Sequence, residues 1–287
     1  MMKLDRILGA LFGLAVVVVA ATAFARRHDR PRDPAPVPTG EAARRIVPVT
    51  ARDYAFEAPD TLAPGPVTFD FTNLGPDLHH VYIALLPEGK SAADLVNETR
   101  GELLPAWAIT IGGPGAQIPN GHGQTSLTLN PGRYAMVCIV PAPDGVPHLR
   151  KGMVHEFTVT GPVSRTALPV PDLTMTLRDY AFELSGTLTA GRHVIEVVNE
   201  AQQHHEVIFV KLAPGKHIAD LFAWLGSHDG PPPAAMVGGT APFHPGMSNL
   251  VDITLEPGTY GLVCFATDIG DGKMHVEHGM SAEFVVE

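Results

Sequence analysis

Residues 67–72 read Val-Thr-Phe-Asp-Phe-Thr, a strict alternation of apolar and polar side chains. That period of two predicts a strand with one face buried. Residues 193–198 carry the counterpart pattern, and each copy is followed by an apolar run, residues 81–86 and residues 207–212. Residues 91–97 and 217–225 share an Ala-Asp-Leu core with Leu95 and Val96, or Leu221, Phe222 and Leu225, on one side. These two segments predict short amphipathic helices. A Gly- and Pro-rich stretch around Gly112-Gly113 and Gly238-Gly239 predicts a loop. Residues 126–129, the turn Pro131-Gly132 and residues 133–138 predict a hairpin whose second strand ends at a cysteine. Residues 252–255, Pro257-Gly258 and 259–264 repeat it, and residues 156–159 and 283–286 close the two copies. Many short strands with regular turns make an all-β sandwich or barrel.

The chain therefore carries one pattern twice. Arg52-Asp53-Tyr54-Ala55-Phe56-Glu57 returns letter for letter as Arg178-Asp179-Tyr180-Ala181-Phe182-Glu183, at an offset of 126. Asn73/Asn199, His79/His205 and Cys138/Cys264 keep that offset, and one inserted residue makes it 127 for His148/His275 and Met153/Met280. Solenoid units repeat every 20–50 residues, roughly, so this longer period is a duplicated domain. The expected organisation is residues 46–160 and 173–287 as two domains, with a Pro-bearing joint at 161–172. Residues 26–45 read as a Pro/Arg-rich tether. Residues 1–25 hold Lys3 and Arg6, an apolar run over 7–25 and the ending Ala23-Phe24-Ala25, which predicts a secretory signal or a retained membrane anchor. Both readings place the rest of the chain outside the cytoplasm, in the periplasm or secreted.

Charge changes the picture modestly. The formal net charge of −10 argues against a nucleic-acid partner and favours a cationic one. The two cysteines sit at equivalent positions of separate copies, which argues against a disulfide between them. Each cysteine instead precedes a His and a Met, and a further His lies upstream. Thiolate and imidazole are strong copper ligands and a thioether is a soft, weak one, so His79, Cys138, His148, Met153 and His205, Cys264, His275, Met280 are two candidate metal sets. A cysteine at a strand end followed by a Gly/Pro-rich loop lets three ligands converge from one loop. Register between the copies pairs His79 with His205 and leaves His80, opposite Glu206, and His204, opposite Leu78, as outer or solvent-facing groups.

On Asn73…His79, Gly132-Arg133-Tyr134…Cys138, Asp144-Gly145-Val146-Pro147-His148…Gly152-Met153 and their copies, the chain resembles the cupredoxins, as a tandem two-domain member. The resemblance implies two Greek-key β-sandwiches, each with a short helical insertion. It implies one type 1 copper in each, about two per chain, exchanging single electrons with a redox partner protein. The residue after the first His is often Asn in blue-copper proteins, whereas here it is His80 or Glu206. That departure bears on potential and rigidity.

Two-domain copper nitrite reductases and small laccases offer the competing enzyme reading. They need a second copper class, commonly held through a His beside the type 1 cysteine. The flanking residues here are Val137, Ile139, Val263 and Phe265. An electron carrier is therefore expected rather than an enzyme. Copper handling without redox turnover, and a metal-free interaction module, are the two remaining readings.

Overall fold

The computed structural model describes residues 44–287 with the exception of His228. Residues 1–25, expected to be a signal or anchor, and most of residues 26–45, expected to be a tether, lie outside the described residues. No helix among the described residues is long and apolar enough to cross a membrane.

Copy one contains β1 (Ile46–Arg52), β2 (Ala55–Glu57), β3 (Thr61–Leu62), β4 (Gly65–Asn73) and β5 (Tyr82–Leu86), then helix α1 (Ala92–Glu98). It continues with β6 (Ile109–Gly112), β7 (His122–Leu129), β8 (Gly132–Val137) and β9 (Val154–Val159). Copy two contains β10 (Leu173–Arg178), β11 (Ala181–Leu184), β12 (Gly191–Asn199), β13 (His205–Leu212) and helix α2 (Ile218–Ser227). It ends with β14 (Ala234–Phe243), β15 (Ser248–Leu255), β16 (Gly258–Val263) and β17 (Ser281–Val286). The architecture is all-β with two short helices, as the patterning predicts. Ser91 caps α1, accepting the Asp94 N–H while the Asp94 carboxylate accepts the Ser91 N–H, a reciprocal box that starts a helix too short to form alone.

Two sheets stack, and both run through both copies. One has the order β11-β10-β12-β15-β7-β4-β1-β2, the other β17-β16-β13-β14-β6-β5-β8-β9-β3. Alternation explains the layering: in β1 the buried residues Val47, Val49 and Ala51 alternate with Ile46, Pro48, Thr50 and Arg52, and Phe69 and Phe71 of β4 point into the same core. Copy two repeats that core around Met175, Val197, Phe209, Phe243 and Tyr260.

The seam between copies corrects one sequence expectation. Gly238-Gly239 lies inside β14 rather than in a loop, whereas in copy one Gly112 ends β6 and the loop begins at Gly113; both stretches help join the copies, β6 pairing with β14 through Ile111 and Phe243. Gly115 N–H donates to Gly239 O at 3.1 Å, and Ala241 N–H donates to Gly113 O at 2.8 Å. A Cβ on Gly113 would stand 2.3 Å from Val81 O, and one on Gly239 would stand 2.0 Å from Val207 O. Glycine is there because neighbouring backbone passes through the space a side chain would fill.

Candidate metal centres

Each centre is assembled from two pieces of chain. The first is the loop after β4 or β12, and the Asn that ends each strand shapes it. Asn73 Nδ2 donates to the Asp77 and Gln117 carbonyls, both at 2.8 Å, while its Oδ1 accepts the Gly75 N–H at 2.9 Å. Asn199 repeats this with the Gln203 and Phe243 carbonyls and the Ala201 N–H. Both amides are fully buried. Tied this way, the loop carries His79, or leads into His205 at the start of β13, each fully buried.

The second piece starts at the cysteine just past β8 or β16. A one-turn 3₁₀ helix begins at the second histidine, His148–Lys151 or His275–His278. Gly152 and Gly279 follow at φ 103° and 91°, the left-handed conformation glycine adopts without strain. The loop is laced to itself. Leu149 N–H donates to Cys138 O at 2.8 Å, Met153 N–H to His148 O at 3.1 Å, and Cys138 N–H to Met153 O at 3.3 Å. Val276, Met280 and Cys264 make the same three bonds in copy two.

The imidazoles and thiol meet. His79 Nδ1 and His148 Nδ1 are 3.0 Å apart, and Cys138 Sγ is 3.9 Å and 3.5 Å from them. A triangle with those sides has a centre about 2 Å from each corner, the length of a metal–imidazole bond. In copy two Cys264 Sγ is 3.8 Å from His205 Nδ1 and 3.4 Å from His275 Nδ1. All six side chains are buried, as are Met153 and Met280, which share a core cluster with Cys138 and Cys264 respectively. Both cysteines are free thiols.

Electrostatics agree with a cation site. Burial holds His148 and His275 down to about 4, with the neighbouring imidazole adding to the effect. Burial also lowers His79 and His205. The imidazoles are therefore neutral near pH 7, with their Nδ1 atoms converging beside the thiol. Burial raises the Cys138 thiol to about 12 and raises Cys264 as well. At 3.0 Å the two Nδ1 atoms of copy one stand at hydrogen-bond distance, so a single proton bridges them in the metal-free protein and a cation would take its place. The outer Nε2 atoms of His79, His148 and His275 are buried without a hydrogen-bond partner, which leaves Nδ1 as the metal-facing nitrogen. The donor sets fit a type 1 copper.

His80 and Glu206 are not solvent-facing. His80 is buried and its Nε2 accepts the Ile139 N–H at 3.1 Å; Glu206 is buried and its Oε1 accepts the Phe265 N–H at 2.9 Å. Each braces the residue just after a cysteine, so chemically different side chains meet one geometric need. His204 is half-buried, its Nε2 2.7 Å from His244 Nδ1, which also accepts the Thr110 N–H. The Thr110–His244 bond crosses between the copies, and the His pair had no sequence signal because neither histidine is in register with another. His122 faces Asp70 at 2.5 Å and His155 lies 3.3 Å from Pro59 O, and neither belongs to the converging His-Cys-His groups.

No protein-family model and no curated protein matches the sequence. Among solved structures, reduced auracyanin from Roseiflexus castenholzii is 24% identical, covering 42% of this chain and 99% of its own, with a TM-score of 0.28. Auracyanin A of Chloroflexus aurantiacus, a "blue" copper protein, is 21% identical over 41% of this chain and 100% of its own, TM-score 0.30. A copper nitrite reductase from Nitrosomonas europaea is 14% identical over 85% of this chain and 94% of its own, TM-score 0.23. A buried His-Cys-His set occurs here twice, once in each copy. Identities this low carry no chemistry across, so function rests on the donors themselves.

Proposed function

We propose that the protein is an exported single-electron carrier with two mononuclear type 1 centres. His79, Cys138 and His148, and His205, Cys264 and His275, would hold the metals, with the thioethers of Met153 and Met280 as weak axial donors. The supporting observation is that the two buried His-Cys-His sets each converge to within 4.8 Å. Two His and one Cys with a long axial Met is the electron-transfer arrangement of copper.

Copper bound there would supply a Cu(II)/Cu(I) couple. The protein's part is to hold the donors still. The laced ligand loop, the Asn73 and Asn199 ties and the His80 and Glu206 braces fix each set before the metal enters, and full burial keeps water out. A rigid, dry site changes oxidation state with little rearrangement. The absence of a His beside either cysteine favours carriage over oxidase or reductase turnover. The net charge of −10 favours a cationic redox partner.

The test is addition of Cu(II) to the purified chain. An intense visible thiolate-to-copper band with about two coppers per chain is expected, and Cys138→Ser and Cys264→Ser should each remove about half of it. Two coppers without the band would favour copper handling, and no copper would leave an interaction module. Full colour in either serine variant would contradict the two-site reading.

A further inference from the structure

The repeated Arg-Asp-Tyr-Ala-Phe-Glu segment contains none of the proposed ligands, yet it is the longest stretch the two copies share unchanged. In both copies it is a tight hairpin, β1–β2 or β10–β11. The Arg and Glu close it, with Arg52 Nε 3.0 Å from Glu57 Oε1 and Arg178 Nε 2.9 Å from Glu183 Oε2. The Tyr at its tip is left-handed, φ 62° for Tyr54 and 65° for Tyr180. That conformation is rare for an aromatic residue and persists where the surroundings fix it.

What the tip reaches is the outer side of the imidazoles. Tyr54 lies 4.9 Å from the His148 ring, centre to centre, and its hydroxyl donates to Asp77 Oδ2 at 3.2 Å. That same oxygen is 3.8 Å from His148 Nε2. Tyr180 lies 5.5 Å from the His275 ring and donates to Asp268 Oδ2 at 2.6 Å, an oxygen 4.0 Å from His275 Nε2. The carboxylates come from different parts of the repeat. Asp77 corresponds to Gln203, which donates to Asp268 instead. The two copies thus reach one Tyr–carboxylate–His arrangement by separate routes.

The Asp beside the Tyr breaks the symmetry. In copy two Asp179 Oδ1 accepts the His205 Nε2–H at 3.1 Å. In copy one the corresponding His79 Nε2 is buried without a partner. A carboxylate on the outer nitrogen of a ligating imidazole orients the ring and makes it a stronger donor, and removing such a partner costs about 10–100-fold in metal affinity.

We propose that the duplicated hairpin is an outer clamp on the metal-ligating histidines, and that the Asp179–His205 bond makes the second centre hold Cu(II) more tightly than the first. The proposal rests on the copper reading above. Its test is a Cu(II) titration of the full metal-free chain against a chelator of known affinity, with Cys138→Ser isolating the second centre and Cys264→Ser the first.

The second centre should be at least about tenfold tighter. Asp179→Ala should erase that advantage and raise the reduction potential of the second centre alone. Asp179→Asn keeps an acceptor but loses the charge, so it should fall between. Melting of the metal-free variants checks that the fold survives, and loss of folding in the Ala variant leaves Asn to decide. Equal affinities in the parent chain, or Asp179→Asn with unchanged affinity and potential, would overturn the clamp while copper binding stood. A parent chain that takes up no Cu(II) would overturn both readings at the first step.

Discussion

Thr125 and Val251 occupy the same place in the two copies, 126 residues apart, and face each other as paired residues where β7 meets β15. Around them Gln124 faces Asp252 and Ser126 faces Leu250, so the register is symmetric about one pair. The exchange of bonds between Gly113, Gly115, Gly239 and Ala241 follows the same symmetry in the other sheet. The copies share an internal pseudo-twofold, and each sheet crosses it without a free edge. An inner edge left unpaired would be open to another chain.

The first prediction follows from that shared sheet. The metal-free chain should unfold in one calorimetric transition rather than two. Thr125 Oγ1 donates to Gly239 O across the seam at 3.1 Å, in a buried setting. Thr125→Val should lower the stability of the whole by about 1 kcal/mol, the usual worth of one hydrogen bond. Urea denaturation would measure it. Two resolved transitions, with only one shifted, would contradict a joint core.

The second prediction concerns the Gly-Gly pairs. Gly113 and Gly239 sit at φ 122° and 134°, and an added Cβ would collide with a backbone carbonyl in each. Backbone cannot rotate aside as a long side chain can. Gly113→Ala and Gly239→Ala should each cost about 3 kcal/mol or more, from strain plus displaced strand. Gly145→Ala is the control, since its added Cβ meets nothing within 4 Å, although its φ of 77° still carries some strain. Melting temperatures of the three variants would rank them.

Much of this was legible in the sequence for a physical reason. Val67 to Thr72 and the hairpin around Pro131-Gly132 announce themselves because one face is wet and the other dry, and the register of Asn, His, Cys, His and Met between copies singles out the donors. Gly238-Gly239 misled because glycine signals a turn unless another strand lies against it, and that strand, β13, comes from a distant part of the same copy. The hairpin at Tyr54 and Tyr180 was legible as a repeat but not as a clamp. Its partners, Asp77 and Asp268, are at unmatched positions, so register comparison passes over them. His80 and Glu206 looked like departures from a pattern because the pattern names a residue, whereas the site needs only an acceptor for one amide.

The third prediction is a pH dependence. Between about pH 6.5 and 8 the imidazoles at both centres are neutral, since burial holds His148 and His275 down to about 4 and lowers His79 and His205 from 6.5, while Cys138, pushed up to about 12, keeps its proton, as does Cys264. A metal must displace the thiol proton, so each binding event releases about one. Apparent Cu(II) affinity should rise about tenfold per pH unit over this range. Below about pH 4 the slope should steepen, because protonated imidazole must be displaced too. Competition titrations at three pH values would give it, and a flat profile would argue against thiolate ligation.

The fourth prediction separates Glu206 from its counterpart His80. Both accept an amide N–H in a buried place, but burial lowers His80 to about 3 and raises Glu206 to about 8, with Glu102 adding to the rise. The folded-state value of Glu206 lies above its ordinary 4.5, so folding favours the protonated acid. That contribution is fully present below about pH 4.5 and is lost as pH rises through about 8. Glu206→Gln keeps an oxygen for the Phe265 N–H and has no proton to lose. Relative to the variant, the parent metal-free chain should therefore lose stability between pH 6 and pH 9. Thermal melting of both proteins at the two pH values is the measurement. A difference between them that stays constant across that range would mean the Glu206 carboxylate is not held in a dry site.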